Sequence, residues 1–379
     1  MSAIPNLPEH VLNAADPDAD AAVKHRIKSQ ESAVHVEDID QQVNGVANSN
    51  GIETGTQWSI HDTPIENQRP IKVIVIGAGF SGIYCGIRIP ERIRNCELVI
   101  YEKNAGVGGA WWENRYPGAA CDVPSHSYQF SFNPNPEWSA LYAPSWEIRE
   151  YLRSTAEKYG ADRFIKLQHT VTRCNWNQDE GKYCNVLINA RGLLNNKQWP
   201  DIEGLSSFQG EVMHSAGWNV EYDFTNKRIG VIGGGSSAIQ IIPNLQKLPG
   251  VKLNCFLRGR FWISPPFGQT VFEQIGLGNS THFTPEQIQK FKTDPQAWQN
   301  FRILVEADSN AIHASTLKGT KMQLAGQKYF EQIMKERLTS KPQYFDWLKP
   351  SFAPGCKRLT PGPGFPRSSG SRQRHIRSR

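Results

Sequence analysis

The chain has 379 residues, 39% of them hydrophobic and 21% charged, with a net charge of +6. That is enough apolar material for two or three cores and excludes a chain disordered throughout. Arg367, Arg372, Arg374, Arg377 and Arg379 carry five of those charges, so the basicity is terminal and gives no nucleic-acid-binding face.

Residues 1–69 read as a polar leader. Pro8–Ser32 has the composition of one helix, and 37–56 has little to bury. From Ile71 a short β-branched run predicts a buried parallel strand that breaks into Gly77-x-Gly79-x-x-Gly82, with Phe80 and Ser81 inside the turn. Gly77 makes the tight turn, Gly79 lets the backbone approach a pyrophosphate, and Gly82 lets a following helix pack on the strand. A second strand, Glu97–Tyr101, ends in Glu102, 25 residues after Gly77. An acid there is placed to hydrogen-bond a ribose hydroxyl, so the unit predicts a dinucleotide site. The apolar spacing of Ile148, Tyr151, Leu152, Thr155 and Tyr159 predicts a helix over Trp146–Tyr159, and Val186–Asn189 predicts a strand.

The opening pattern then repeats. Arg228–Ile232 is a strand, Gly233-x-Gly235-x-x-Ala238 a glycine turn containing Ser236 and Ser237, and Ile239–Leu245 the start of a helix. Val251–Leu257 is the next strand, ending at Arg258, again 25 residues after the first glycine. One unit ends in an acid and the other in a base. An acid suits a free ribose 2′-hydroxyl and an arginine suits a 2′-phosphate. The reading is FAD (or NAD) at the first site and NADPH at the second; the alternative for Arg258 is a solvated strand-end charge. Helices are predicted at Pro285–Phe291, Gln296–Ala307 and Tyr329–Leu338, with stripes that face a core or roof a substrate cavity. The fold class is α/β, with two Rossmann-like dinucleotide-binding domains and a helical insertion. The expected division is a FAD domain over 70–207, an NADP domain over 208–268 and 346–360, the insertion over 269–345, and a basic tail over 361–379.

No apolar run reaches membrane-spanning length, and the first ten residues lack the basic and apolar regions of a secretory signal. The seven cysteines are scattered with no CxxC, which gives no metal site and suits a reduced, cytoplasmic interior. Hydride passing from nicotinamide to flavin must then be handed on. Without CxxC the disulfide route is disfavoured. Reaction with O2 requires a dry pocket and a positive group.

Between the two units stands Phe208-x-Gly210-x-x-x-His214-x-x-x-Trp218. This resembles the fingerprint of type I Baeyer–Villiger monooxygenases, although Asn219 replaces the usual Pro or Asp. Gly108-Gly109-Ala110-Trp111 and Asn114-Arg115-Tyr116-Pro117-Gly118-Ala119-Ala120-Cys121-Asp122 resemble a second block of that family, and Cys356-Lys357-Arg358 a third. The resemblance implies FAD and NADPH as cofactors, O2 and a small-molecule ketone as reactants, and an ester or lactone as product. It implies that Gly109, Ala110, Trp111, Asn114, Cys121 and Tyr128 surround the flavin. Asp122 would lie beside flavin and nicotinamide, and Val171 would touch the adenine through its backbone. Lys357 would help Arg258 hold the 2′-phosphate, and Arg358 would be the catalytic arginine that Asp122 orients. His214 is read as a structural histidine of a moving linker. The nearest likeness is to fungal secondary-metabolite enzymes acting on polyketide intermediates.

Two departures bear on activity. Around Asn175–Leu187 the chain is shorter than the family pattern, so a hairpin of the flavin domain is expected to be missing. After Arg358 the family continues, whereas here Pro361–Phe365 leads into the Arg/Ser tail. A nucleotide-binding pseudoenzyme is therefore the alternative. A flavin N- or S-oxygenase is a further one, which Trp218 argues against.

Overall fold

The computed structural model describes residues 70–175, 184–264, 269–276, 278, 280–311, 313–339, 341–357 and 359. The expected leader with its Pro8–Ser32 helix, most of the shortened stretch near 176–183, the 361–379 tail and Arg358 lie outside the described residues.

The first unit is a parallel sheet. Strand β1 (Ile71–Ile76) is central; β2 (Cys96–Tyr101) pairs with it on one side and β4 (Val186–Asn189) on the other, while the two-residue β3 (Ile165–Lys166) extends the β2 edge. The order β3-β2-β1-β4 puts the C-terminal end of β1 where the chain switches from one side of the sheet to the other. In open α/β sheets a ligand crevice opens at such a point. Val73, Val75, Leu98 and Ile100 are buried, because a parallel strand with cover on both faces must be apolar on both.

Helix α1 (Phe80–Arg92) leaves the glycine turn and buries Gly82, Ile83, Gly86 and Ile87. Gly86 is there because a Cβ would lie 2.9 Å from the Cβ of Ala161. A short helix α2 (Ala110–Glu113) follows, and α3 (Ser145–Lys158) matches the expected stripe, burying Ile148, Tyr151, Leu152, Thr155 and Ala156.

The second unit pairs β5 (Arg228–Ile232) with β6 (Lys252–Phe256) in parallel, joined through α4 (Ser236–Leu245). Then come α5 (Gln269–Gln274), α6 (Pro285–Thr293), α7 (Pro295–Ala311), α8 (His313–Thr316), α9 (Lys321–Arg337) and α10 (Phe345–Leu348). α6 starts on a capping box in which the Thr284 hydroxyl and the Gln287 side chain each satisfy the other's backbone N–H. α9 begins eight residues earlier than its apolar stripe suggests, because Thr320 caps it and accepts from Gln323 N at 3.1 Å.

These helices divide between two cores. Val271, Phe272, Phe283, Phe291, Phe301 and Val305 join the core of α1 and α3, whereas Phe330, Met334, Leu338 and Leu348 join that of α4 and β6. Both halves are thus tied to a nucleotide unit by burial. Among the described residues no helix is long and apolar enough to cross a membrane, and no His/Cys/Asp/Glu group could hold a metal.

Candidate functional site

The first glycine turn is fixed from three directions. Gly77 has φ +100, and a Cβ on it would lie 2.7 Å from the Ala190 carbonyl oxygen, so only glycine fits. Its N–H donates to Tyr101 O at 2.8 Å. Glu102 is buried; its carboxylate accepts from Ala78 N–H at 2.7 Å through Oε2, and from the Asn104 backbone N–H (2.9 Å) and Nδ2 (2.8 Å) through Oε1. The acid expected to meet a ribose therefore also locks the turn.

Gly109 stands against Gly79, with an added Cβ on Gly79 3.7 Å from Gly109 Cα, and Gly108 N donates to Ala78 O at 3.0 Å. Two glycine stretches distant in sequence thus form one backbone surface. Beside it Trp111 Nε1 donates to Tyr128 Oη at 3.3 Å, and Phe80 packs edge-on to Tyr128 at 5.1 Å. The Asn114 side chain donates to Ala110 O, and Cys121 is buried with its N–H on Ala143 O. Ser81 is exposed, and Val171 is half-buried two residues after His169, whose N–H donates to Glu102 O at 2.8 Å. α1 has no side-chain cap and no acid in its first turn, which leaves its N–H groups and positive dipole end turned toward the crevice.

The second turn has the same design with more open space. α4 is likewise uncapped by a side chain and free of acid in its first turn. A Cβ on Gly233 or Gly235 would meet nothing within 4 Å. Gly235 has φ −79, which any residue adopts, so neither strain nor packing demands glycine there. A ligand lying against the backbone would. Gly235→Ala should therefore leave stability within about 1 kcal/mol of the parent and weaken nucleotide binding; thermal melts and NADPH titration of the same samples check this.

A cavity of about 260 Å³ opens here, lined by Gly234, Gly235, Ser236, Arg260, Phe261 and Lys357 among others. Arg258 is exposed at the strand end and is not in this lining.

The Asn114–Asp122 loop joins the two sites. Tyr116 donates its hydroxyl to Gln240 Oε1 at 2.8 Å, and Gln240 Nε2 donates to Ala120 O at 3.0 Å. Gly118, at φ +80, lets the loop lie on α4, where a Cβ would sit 2.9 Å from Gln240 O. Burial pushes the Tyr116 phenol up; a hydrogen bond with Ser237 opposes this and the charge of half-buried Asp122 adds to it. Candidate residues of both units therefore converge on one tyrosine. Nothing in the spacing pointed to Gln240, since its partners lie more than a hundred residues away. His214 caps a short turn by accepting from Ala216 N–H at 3.0 Å and packs edge-on to Trp199, as a structural histidine does.

Comparison with known proteins agrees with this geometry. Residues 75–144 match the model of an NAD(P)-binding Rossmann-like domain. The chain is 37% identical over 327 residues to the FAD-binding monooxygenase tazF of Aspergillus terreus, covering 82% of this chain and 58% of that protein. It is 33% identical over 300 residues to a Baeyer–Villiger monooxygenase of Streptomyces coelicolor, covering 76% of this chain and 55% of that protein. Among solved structures it resembles an oxidised steroid monooxygenase bound to NADP, with 27% identity and TM-score 0.61 over 82% of this chain and 66% of that one. The chain thus spans a little over half the length of these curated relatives. With both glycine turns, the parallel sheet and the joining loop in place, the chain is similar to FAD-binding and Baeyer–Villiger monooxygenases over 76–82% of its own length.

Proposed function

We propose that this chain binds FAD at the Gly77–Gly82 turn and NADPH at the Gly233–Ala238 turn, and serves a monooxygenase that inserts one atom of O2 beside a ketone carbonyl. The observation that carries the reading is the pair of uncapped helix ends above glycines whose missing side chains leave open backbone, bridged by the Tyr116–Gln240 contact. The residues present fit the two groups. Gly79 and Gly109 offer a flat backbone surface for a pyrophosphate, Glu102 stands at the ribose end, and Trp111, Tyr128 and Phe80 form an aromatic wall for a ring system. Asn114, Cys121 and Val171 complete this set, and Gly235, Ser236, Ser237 and Lys357 serve the second.

When bound, the flavin supplies hydride acceptance and oxygen activation. The protein's part is to orient the two nucleotides across the Asn114–Asp122 loop, exclude water and stabilise developing negative charge. For that last role we propose Arg358, with Asp122 as its orienting carboxylate. Similarity to a Baeyer–Villiger monooxygenase supports a ketone as substrate class, and similarity to a fungal FAD-binding monooxygenase supports a polyketide-type intermediate of fungal secondary metabolism as the narrower reading. A cytoplasmic location is part of the proposal, supported by seven free cysteines.

The test is ketone-dependent NADPH oxidation with product analysis by mass spectrometry. Arg358→Ala should lower ester formation by about 100-fold or more, on the order of 3 kcal/mol, while both nucleotides still bind. Unchanged conversion by the variant would remove Arg358 from this role. Turnover of amines or thioethers alone would favour an N- or S-oxygenase, and bound nucleotides without any turnover a pseudoenzyme.

A further inference from the structure

A line of touching rings leads away from the first glycine turn. Trp111 Nε1 donates to Tyr128 Oη at 3.3 Å, and their ring centres are 5.5 Å apart. Tyr128 lies 5.1 Å from Phe80, and Phe80 lies 5.1 Å from Phe130. Phe130 in turn stacks on Tyr84 at 6.4 Å. Phe80 and Tyr84 are one turn apart on α1, so the helix carries the line outward from the turn.

The two ends differ. Trp111 and Tyr128 are half-buried, whereas Tyr84 is 46% exposed. A side branch from Phe130 through Tyr151 stops at Trp138, which is 0% exposed and reaches no solvent. Close packing asks only for apolar bulk and good ring geometry. It does not ask for an indole joined to a phenol at the inner end, nor for a phenol left in water at the outer end. Indole and phenol are the aromatic side chains that most readily give up an electron. The two phenylalanine rings between them supply a continuous π path.

We propose that the line Trp111–Tyr128–Phe80–Phe130–Tyr84 carries one-electron oxidising equivalents from the first site to solvent. The inference rests on the first turn holding a flavin, whose light-excited form is the one-electron oxidant. Trp111 gives up one electron to it and regains one through Tyr128 and the phenylalanine rings from Tyr84. The Tyr84 phenol loses that electron and releases its proton to water, which its exposure permits. A thiol in solution then returns a hydrogen atom to Tyr84. Apart from the Tyr84 O–H bond, nothing in the protein is broken or made, so the wall of the site survives each event intact.

The experiment illuminates the full chain with blue light after saturation with FAD and gel filtration. A nitroso spin trap is present, thiol is absent, and peptide mass spectrometry locates the adduct. Tyr329 is the internal control: it is 45% exposed, as open as Tyr84, and packs on Phe330 of the other core. The parent should carry the trap on Tyr84 and not on Tyr329. Tyr84→Phe removes only a solvent-exposed hydroxyl; that variant should lose the adduct there and show oxidation of Trp111 or Tyr128 instead. Equal adducts on Tyr84 and Tyr329 would mean a diffusing oxidant and overturn the inference. So would oxidation of Trp111 and Tyr128 in the parent with Tyr84 bare, or bound FAD with no adduct anywhere; each leaves the flavin reading standing. If the chain retains no FAD, both fail.

Discussion

Gly82→Ala is expected to unfold the first nucleotide unit, at a cost of about 3 kcal/mol or more. The added Cβ would overlap the Gly77 carbonyl oxygen and lie 2.9 Å from the Gly77 carbonyl carbon. Neither neighbour can step aside. Gly77 is held by its N–H on Tyr101 O and crowded by the Ala190 backbone, and Gly82 is buried inside α1 over Ile100. Relief requires sliding α1 off the sheet, which exposes Ile83 and Ile87, both buried. Gly79→Ala separates binding from folding at the same turn. Its Cβ would make an ordinary contact at 3.7 Å with Gly109 Cα. That variant should fold and melt near the parent temperature yet hold FAD more weakly, because the methyl group occupies the pyrophosphate's line of approach. Circular dichroism melts and flavin fluorescence titration distinguish the two. A Gly82→Ala protein with the parent's melting temperature would contradict the packing described.

Acid should destabilise the chain through His126. This imidazole is 1% exposed and sits edge-on to Phe283, Phe291, Trp298 and Phe301, with neither ring nitrogen hydrogen-bonded to a protein atom. Burial, and secondarily the positive charge of Arg302, push it from the ordinary 6.5 down to about 3. The folded state therefore keeps the ring neutral while the unfolded chain takes up a proton below pH 6.5. The contribution is fully present above 6.5 and is lost as pH falls from there toward 3, at up to about 1.4 kcal/mol per pH unit. The elements at risk are α6 and α7, whose Phe291 and Phe301 form the box. Replacing His126 with Leu should flatten this slope, measured by urea unfolding at pH 5 and pH 8. An unchanged slope would mean another group governs acid sensitivity.

What the sequence made legible was local. A β-branched run ending in Gly-x-Gly fixes strand, turn and helix within a dozen residues, and both units follow it, with strand ends within one residue of expectation. The helical stripes were readable too, because burial on one face imposes a 3.6-residue period. Partners were not. The stripes of α6 and α7 and of α9 look alike, but nothing in periodicity says that one set packs on α1 and the other on α4. The same holds for Tyr116 with Gln240 and for Arg260 with Lys357, each pair brought together only by tertiary packing. Glu102 was found by its spacing, but its bonds to the turn were not, since they depend on a carboxylate buried under Ala78 and Asn104.

The central claim is that the Gly77–Gly82 turn of this chain holds a flavin. The visible spectrum of the purified full chain tests it most directly, read after saturation with FAD and removal of excess by gel filtration. The account predicts a yellow protein with close to one FAD per chain, and loss of that colour in Gly79→Ala. A folded, colourless protein that takes up no FAD would contradict it.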